Sequence, residues 1–317
     1  MGRFIRAGNI VLRGRRPPSA GGPRHNDAPD RRDFPFAVAL TAVGEFPSRT
    51  FSMESTAMPP ADPPHALRVL GTRLMVTDYA ALAVRCQEWA RLPGPMALDF
   101  TNTQTVTMRR HEPSFRELTD AFDHFPPDSM PLIWCLNRAG AGLTDRVYGP
   151  TFMRHFLNSV PAGFTHYLIG GSAECGNRLR EVFTQANPAV RFLGGYHGRC
   201  DAAGRMDPAD EDRVIEELNR LSPDFIWLGL GTPKQQAWVH HYRPFLRRGV
   251  LLGVGFAFDV NAGLKPDSPV WMQRLGLGWL FRLAAEPGRL LGRYCKYNTL
   301  FLAYLLWDGL RGRAWGR

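Results

Sequence analysis

The sequence predicts an α/β fold: a Rossmann-like, mostly parallel sheet flanked by helices, with a C-terminal helical appendage. Three observations carry this. From about residue 66, short apolar runs of strand length alternate with amphipathic helical stretches, the order expected of a parallel sheet covered on both faces. Two of those runs, "THYLIGGS" (165–172) and "DFIWLGLG" (224–231), end in glycines just before a helical pattern. Such turns lie at the carboxyl edge of a parallel sheet, where doubly wound folds bind ligands. Finally, residues 271–317 carry helical patterning only.

Taken in order, residues 1–63 are rich in Arg, Pro and Gly, and "RRPPSAGGPRHNDAPDRRD" (15–33) reads as disordered. Met53 and Met58 near its end are candidate start positions. "LRVLGTRLMVT" reads as a hairpin. "DYAALAVRCQEWARL" reads as a helix with Asp78 as N-cap. "PMALDFTN" (95–102) is a predicted strand, and "TVTMRRHEPSFRELTDAF" is mostly helical with a break at Pro113. "AECGNRLREVFTQAN" is the helix after the 165–172 strand, and "VRFLGGYHG" (190–198) the next strand. "PADEDRVIEELNRLSP" is a helix whose acidic first turn suits the helix dipole. "PKQQAWVHHYRPFL" is the helix after the 224–231 strand, and "GVLLGVGFAFD" (249–259) the last strand. The expected organisation is a disordered extension at 1–63, a Rossmann-like domain at 64–270 and a basic amphipathic helical appendage at 271–317.

The net charge of +10 is uneven. Residues 1–33 hold eight Arg against three Asp. Residues 271–317 hold seven Arg and one Lys against Glu286 and Asp308, so the middle is close to neutral. A nucleic-acid-binding domain carries its basic face on the fold itself, so this profile argues against one. A basic tail on a neutral body suits an anionic membrane surface. No apolar run reaches the ~20 residues that span a bilayer; "TLFLAYLLW" (299–307) is the longest lipid-like stretch. The N-terminus has charge but no apolar core of a signal peptide. Five cysteines, none in a CxxC pair, argue against a zinc site or disulfide framework and for a reducing compartment.

Several residue groups have two readings each. The turns at Gly170 and Gly171, and at Gly229 and Gly231, are either tight turns or places where backbone approaches phosphate. Lys234 and Gln235 beside the second turn favour a ligand, because Lys is a phosphate charge and Gln reads a hydroxyl or base edge. Neither stretch is a GxGxxG or Walker loop. Asp128, in "FPPDSMPLIW", is a helix N-cap or a general base. Arg146 is a surface arginine or a phosphate ligand. "DED" at 210–212 reads as a solvated helix turn rather than a metal site. His197 and the adjacent pair His240 and His241 show no metal spacing and read as core or surface histidines. In the tail, Arg274, Arg282, Arg289 and Arg293 interleave with Trp, Leu, Phe and Tyr, the pattern of a helix lying in a membrane interface, although a helix pair packed on the core is the other reading.

In this order the motifs resemble the WecG/TagA/CpsF glycosyltransferases (glycosyltransferase family 26), over roughly residues 68–305. Asn102 and Pro113 match the family's Asn and Pro spaced by eleven, and "PPDSMPLIW" its "PDG" segment. "RVYGPTFM", "YLIGG", "GLGTPKQQ", "GVGFAFDVNAG" and "SPVWMQRLGLGWLFRLAAEPGRLLGRY" match the segments that follow. The resemblance implies inverting, metal-independent transfer of a sugar (N-acetylmannosamine, N-acetylmannosaminuronic acid, glucose or similar) from a UDP-sugar to a polyprenyl-diphosphate-linked saccharide. It implies no cofactor, and a cytoplasmic protein peripheral on the inner membrane face, with self-association a further expectation.

By position, Asp128 matches the proposed general base, Arg146 an arginine near the active site and Gln235 the glutamine of the PKQ turn. Arg282 and Arg289 match arginines thought to reach the diphosphate. Thr101, Asn102, Gly170, Gly171, Gly229, Gly231, Lys234 and Arg293 complete the expected substrate-binding set. Gln236 is read as serving its own helix, since the family usually has Glu there. Phe100, Ser129, Phe256, Gly278 and Gly292 replace family-typical residues, which bears on the donor sugar and acceptor. Two alternatives stand beside this reading. One is a non-catalytic scaffold of polysaccharide assembly. The other is a Rossmann-type nicotinamide oxidoreductase, which needs a stronger GxGxxG.

Overall fold

The computed structural model describes residues 64–311, so the expectations for 1–63 lie outside the described residues, as does the end of the tail. The chain opens with an antiparallel hairpin, β1 (Ala66–Val69) and β2 (Thr72–Met75), turning at Leu70 and Gly71. Both turn residues have positive φ, 49° and 87°, which matches the twist of a two-residue hairpin. Helix α1 (Tyr79–Trp89) follows, with the Asp78 side chain accepting from the Ala81 N–H at 2.8 Å as its cap.

Next come β3 (Gly94–Asp99), α2 (Thr103–His111) and α3 (Pro113–Thr119). Pro113 sits in the first turn of α3, where its missing N–H costs nothing, so the break predicted there is the junction of two helices. Helices α4 (Met130–Arg138) and α5 (Gly149–Ser159) precede β4 (Thr165–Gly170). Helix α5 had no sequence expectation, yet it buries Phe152, Met153, Phe156 and Leu157 along one face. Then follow α6 (Ala173–Ala186), β5 (Arg191–Tyr196), α7 (Pro208–Leu221), β6 (Phe225–Gly229), α8 (Lys234–Tyr242) and β7 (Arg248–Gly253).

The five strands β3 to β7 form one parallel sheet in the order β3-β7-β6-β4-β5. Successive side chains alternate between faces, and both faces are covered. Phe225, Trp227, Val250 and Leu252 enter one core with α1, α5 and α6. Ile226, Leu228, Leu251 and Tyr167 enter the other with α4, α7 and α8.

The expected strand at 249–259 is shorter than its apolar run. It stops at Gly253, and the N–H groups of Val254 and Gly255 both turn onto the Leu228 carbonyl at the end of β6. Residues Ala257–Asn261 then form a short helix, α9. Gly255, at φ 52°, makes this fold-back possible.

The tail forms α10 (Val270–Arg274), α11 (Gly278–Ala285) and the 24-residue α12 (Pro287–Leu310). Helix α12 lies along α2. Tyr297 is buried with Met108 and Phe115, and Phe301 enters the main core. Arg110 pairs with Asp308, His111 meets the Tyr304 hydroxyl at 2.8 Å, and Lys296 reaches Glu112 at 3.0 Å. No helix among the described residues is long and apolar enough to cross a membrane.

Candidate active site

At the carboxyl ends of β3, β6 and β7, where the tail helices come over the sheet, lies a cavity of about 340 Å³. Its first wall is an addition to β3. Thr101 pairs with the 126–128 loop as a parallel bridge: its N–H donates to Pro126, and Asp128 N–H donates to the Thr101 carbonyl at 2.7 Å. Val147 N–H closes the loop on Pro127. Asp128 is thereby held on backbone at the cavity wall.

Asp128 is not a helix cap. Ser129 occupies the cap position of α4, and no side chain caps that helix. Asp128 Oδ1 and Ser129 Oγ are instead both buried without a hydrogen-bond partner. Two adjacent open acceptors or donors of this kind at a cavity wall can hydrogen-bond a molecule that enters it. Burial pushes the Asp128 carboxyl up to about 7, against the pull of Arg146, Arg282 and the Gly149 backbone N–H. That amide begins α5, so the helix dipole also favours the ionised form.

Arg146 is buried, with its guanidinium 4.2 Å from the Tyr148 ring centre. It donates to the Asp128 carbonyl at 3.4 Å and to Gln273 Oε1 at 3.5 Å. Gln273 belongs to α10 and is itself held, donating to Asp267 at 3.2 Å and to the Ser268 carbonyl at 2.7 Å. The tail thus grips the arginine beside Asp128.

The remaining cations come from α11 and α12. Arg282 stacks 4.2 Å from the Phe256 ring centre. Arg293 has a buried Nε with no partner and a long contact from Nη1 to the Thr232 carbonyl at 3.5 Å. Arg289 pairs with Glu286, which Lys265 also contacts at 3.0 Å. Among the described residues no carboxylate lies within ion-pair distance of Arg146, Arg282 or Arg293. Three guanidinium groups facing one cavity without a carboxylate partner form a receptor for a polyanion.

The cavity takes in Asn102, Asp128, Arg146, Gly231, Lys234, Gln235, Arg282, Arg289 and Arg293 from the sequence-predicted set. Thr101, Gly170, Gly171 and Gly229 do not line it. Thr101 is buried, its hydroxyl donating to the Asp99 carbonyl. The glycines serve close packing: a Cβ at Gly229 would lie 2.3 Å from the Phe258 ring, and one at Gly170 would lie 2.8 Å from Leu230. Asn102 caps α2, accepting from Thr105 N–H at 3.1 Å. Lys234 is tied to the Cys200 carbonyl at 2.9 Å.

Away from the cavity, His197 bonds the Gly170 carbonyl at 2.8 Å and stands beside Arg180. Asp210 pairs with Arg213 on its own helix. Among the described residues no group of three or more His, Cys, Asp or Glu could hold a metal ion.

Gln236 departs from its sequence reading. It is fully buried, and its Nε2 donates to Asp99 Oδ1 at 2.9 Å. Gln235 Nε2 donates to the same oxygen at 3.1 Å and to the Gly253 carbonyl at 3.1 Å. Burial raises the Asp99 carboxyl to about 6, opposed by hydrogen bonds from the two glutamines and Thr101. Sequence reasoning missed Asp99, although an aspartate closing the apolar run "PMALD" was the available signal. Gln273 and Tyr148 were also missed, having no pattern of their own.

Of the departures from family pattern, Phe100 packs 5.0 Å from Phe152 beneath the cavity and Phe256 backs Arg282. A Cβ at Gly278 would meet Ser268 Oγ at 3.2 Å, and Gly292 faces open space.

The family model for the glycosyl transferase WecG/TagA/CpsF family matches residues 67–314. An N-acetylglucosaminyldiphosphoundecaprenol N-acetyl-beta-D-mannosaminyltransferase of Staphylococcus aureus (strain MRSA252) is 24% identical over 190 residues, 60% of this chain and 72% of the relative. A protein of the same name from Bacillus subtilis (strain 168) is 38% identical over 102 residues, 32% of this chain and 40% of the relative. With a family model spanning the sheet, the cavity and the tail helices, the chain belongs to the WecG/TagA/CpsF family of glycosyltransferases.

Proposed function

We propose that this enzyme transfers N-acetylmannosamine from its UDP-linked form to a saccharide carried on polyprenyl diphosphate, with Asp128 as general base. The observation that carries the reading is the buried, unpartnered Oδ1 of Asp128 in a cavity bearing Arg146, Arg282 and Arg293. The relatives' names supply the sugar and the lipid diphosphate. A UDP leaving group gains charge as the glycosidic bond breaks, and fixed cations in the cavity stabilise that charge. The acceptor hydroxyl meanwhile loses its proton to Asp128 Oδ1, whose pKa of about 7 suits a base working near neutrality. Attack from the side opposite the departing UDP inverts the anomeric centre.

The acceptor's lipid sits in a membrane, and the tail supports docking there. Trp271, Leu275, Trp279 and Leu280 are exposed on α10 and α11 beside the cavity, and Arg274 lies among them. An apolar face with interleaved arginine is the composition of an interfacial helix. The test is radiolabelled transfer from UDP-N-acetylmannosamine to N-acetylglucosaminyl-diphosphoundecaprenol. Asp128→Asn should lose at least ~100-fold in kcat while still binding UDP. Wild-type-like turnover in that variant would refute the base assignment.

A further inference from the structure

Asp99 ends β3 beneath the cavity, fully shielded from solvent. One of its oxygens receives two amide groups, Gln235 Nε2 at 3.1 Å and Gln236 Nε2 at 2.9 Å. The Gly253 carbonyl receives Gln235 Nε2 as well. Both receivers are acceptors, so the Gln235 amide has one orientation open to it. Turned about, its oxygen would face a carboxylate and a carbonyl with no proton between them.

The consequence falls on the other end of that amide. Gln235 Oε1 is buried and has no partner. It points toward Gly255, where a Cβ would stand 3.2 Å from it, and Gly255 and Gly231 both line the cavity. The absence of a side chain at Gly255 leaves the approach open. At Gly253 a Cβ would sit 3.1 Å from Gln235 Nε2 and 3.3 Å from Asp99, so glycine there makes room for the contact itself. A buried acceptor left open carries its full desolvation cost unless something in the cavity donates to it.

We propose that Asp99 is a positioning residue for donor-substrate recognition: it holds the Gln235 amide with its oxygen turned to the cavity, where it accepts a hydrogen bond from an N–H or O–H of the nucleotide sugar. The proposal rests on the nucleotide-sugar reading of the cavity. Asp99 touches no substrate and acts through Gln235. Gln236, on the same oxygen, anchors the arrangement from the next residue of α8. The hydrogen-bond donor belongs either to the nucleoside, base or ribose, or to the transferred sugar, and the two are separable.

The experiment measures binding of UDP and of UDP-N-acetylmannosamine, together with KM for donor and acceptor, in wild type, Asp99→Leu and Asp99→Asn. Leucine keeps the approximate shape and removes the acceptor, so the Gln235 amide is freed to turn. Asparagine keeps an acceptor oxygen toward both glutamines and can direct its NH₂ at the Thr101 hydroxyl. Asp99→Leu should weaken donor binding about tenfold or more, the scale of one buried hydrogen bond, while acceptor KM stays within about twofold. Asp99→Asn should restore donor binding to within about threefold of wild type. Loss with UDP itself places the hydrogen bond on the nucleoside, base or ribose, and loss with the UDP-sugar alone places it on the transferred sugar.

Unchanged donor binding in Asp99→Leu, or equal loss in both variants, would overturn the positioning role. Should Asp99→Leu not fold, a crystal structure of the wild type with UDP-N-acetylmannosamine decides. Gln235 Oε1 within hydrogen-bond distance of a donor on the ligand is expected, and Nε2 on the ligand would overturn the proposal. Failure of the wild type to bind either nucleotide would instead bring down the nucleotide-sugar reading itself, and this inference with it.

Discussion

The guanidinium of Arg282 lies 4.2 Å from the centre of the Phe256 ring, so one cavity arginine is held by an aromatic face rather than by a carboxylate. The ring backs the cation without neutralising it, which leaves its full charge for an anion. Such a contact is worth about 0.5–2 kcal/mol. Phe256→Ala should therefore raise KM for the UDP-sugar by roughly 2- to 30-fold. Steady-state kinetics at saturating acceptor measure this, and an unchanged KM would remove Phe256 from the account of Arg282.

The pH dependence follows from Asp128. Its carboxyl sits at about 7, and only the ionised form accepts a proton, so kcat/KM should fall about tenfold per pH unit below 7. Arg146 and Arg282 pull that pKa down, and a bound diphosphate offsets their charge. The acid limb of kcat, which reports the complex, should then lie at higher pH than that of kcat/KM. Coincident limbs would show that the diphosphate does not engage these arginines.

The same shift has a stability consequence. The folded-state pKa is raised above the unfolded value, so the folded protein holds this proton more tightly. The contribution is fully present below the unfolded value, and is lost as pH rises through about 7. Asp128→Asn carries no such loss. At pH 8 it should melt a few degrees above wild type, and near pH 4 the difference should vanish. Thermal melts at the two pH values check the sign.

Gln273 connects the tail to the candidate site, since it brings α10 into hydrogen-bond contact with Arg146. Gln273→Leu keeps the size and removes the contact. It should lower kcat about 3- to 10-fold, the scale of one modest hydrogen bond, with little change in melting temperature. A wild-type kcat would mean that Arg146 is held well enough by Tyr148 and the Asp128 carbonyl.

Membrane docking is tested by exposed side chains that support no fold. Replacing Trp271, Leu275 and Leu280 together by Ser should abolish sedimentation with vesicles rich in anionic lipid, while turnover on a water-soluble acceptor analogue persists. Sedimentation equal to wild type would refute the interfacial role of α10 and α11. Deleting 271–317 is a poorer probe, because α12 buries Tyr297 and Phe301 against the catalytic domain.

Strands, helices and their alternation were legible in the sequence because each is specified by near neighbours. Runs such as "FIWLG" and "VLLG" have the apolar continuity that a strand buried on both faces requires, and Asp78 and Pro113 mark helix starts through local backbone chemistry. Asp128, Arg146 and the tail arginines were legible only as motifs in order. What surrounds them depends on the tertiary structure: loss of water raises the Asp128 carboxyl, and Arg146, Arg282 and Arg293 gather on the same cavity. Glycines at 170, 171 and 229 carried two readings in the sequence, tight turn or phosphate contact; in the fold they stand outside the cavity lining, where a side chain would press on Leu230 or Phe258. Asp99 and Gln236, 137 residues apart, meet on one oxygen because parallel strands and their helices bring distant segments to a common edge. Sequence alone determined which elements form and which family they resemble, through short-range periodicity and motif order. Tertiary structure decided which polar atoms lose water, and that loss sets both charge and orientation at the site.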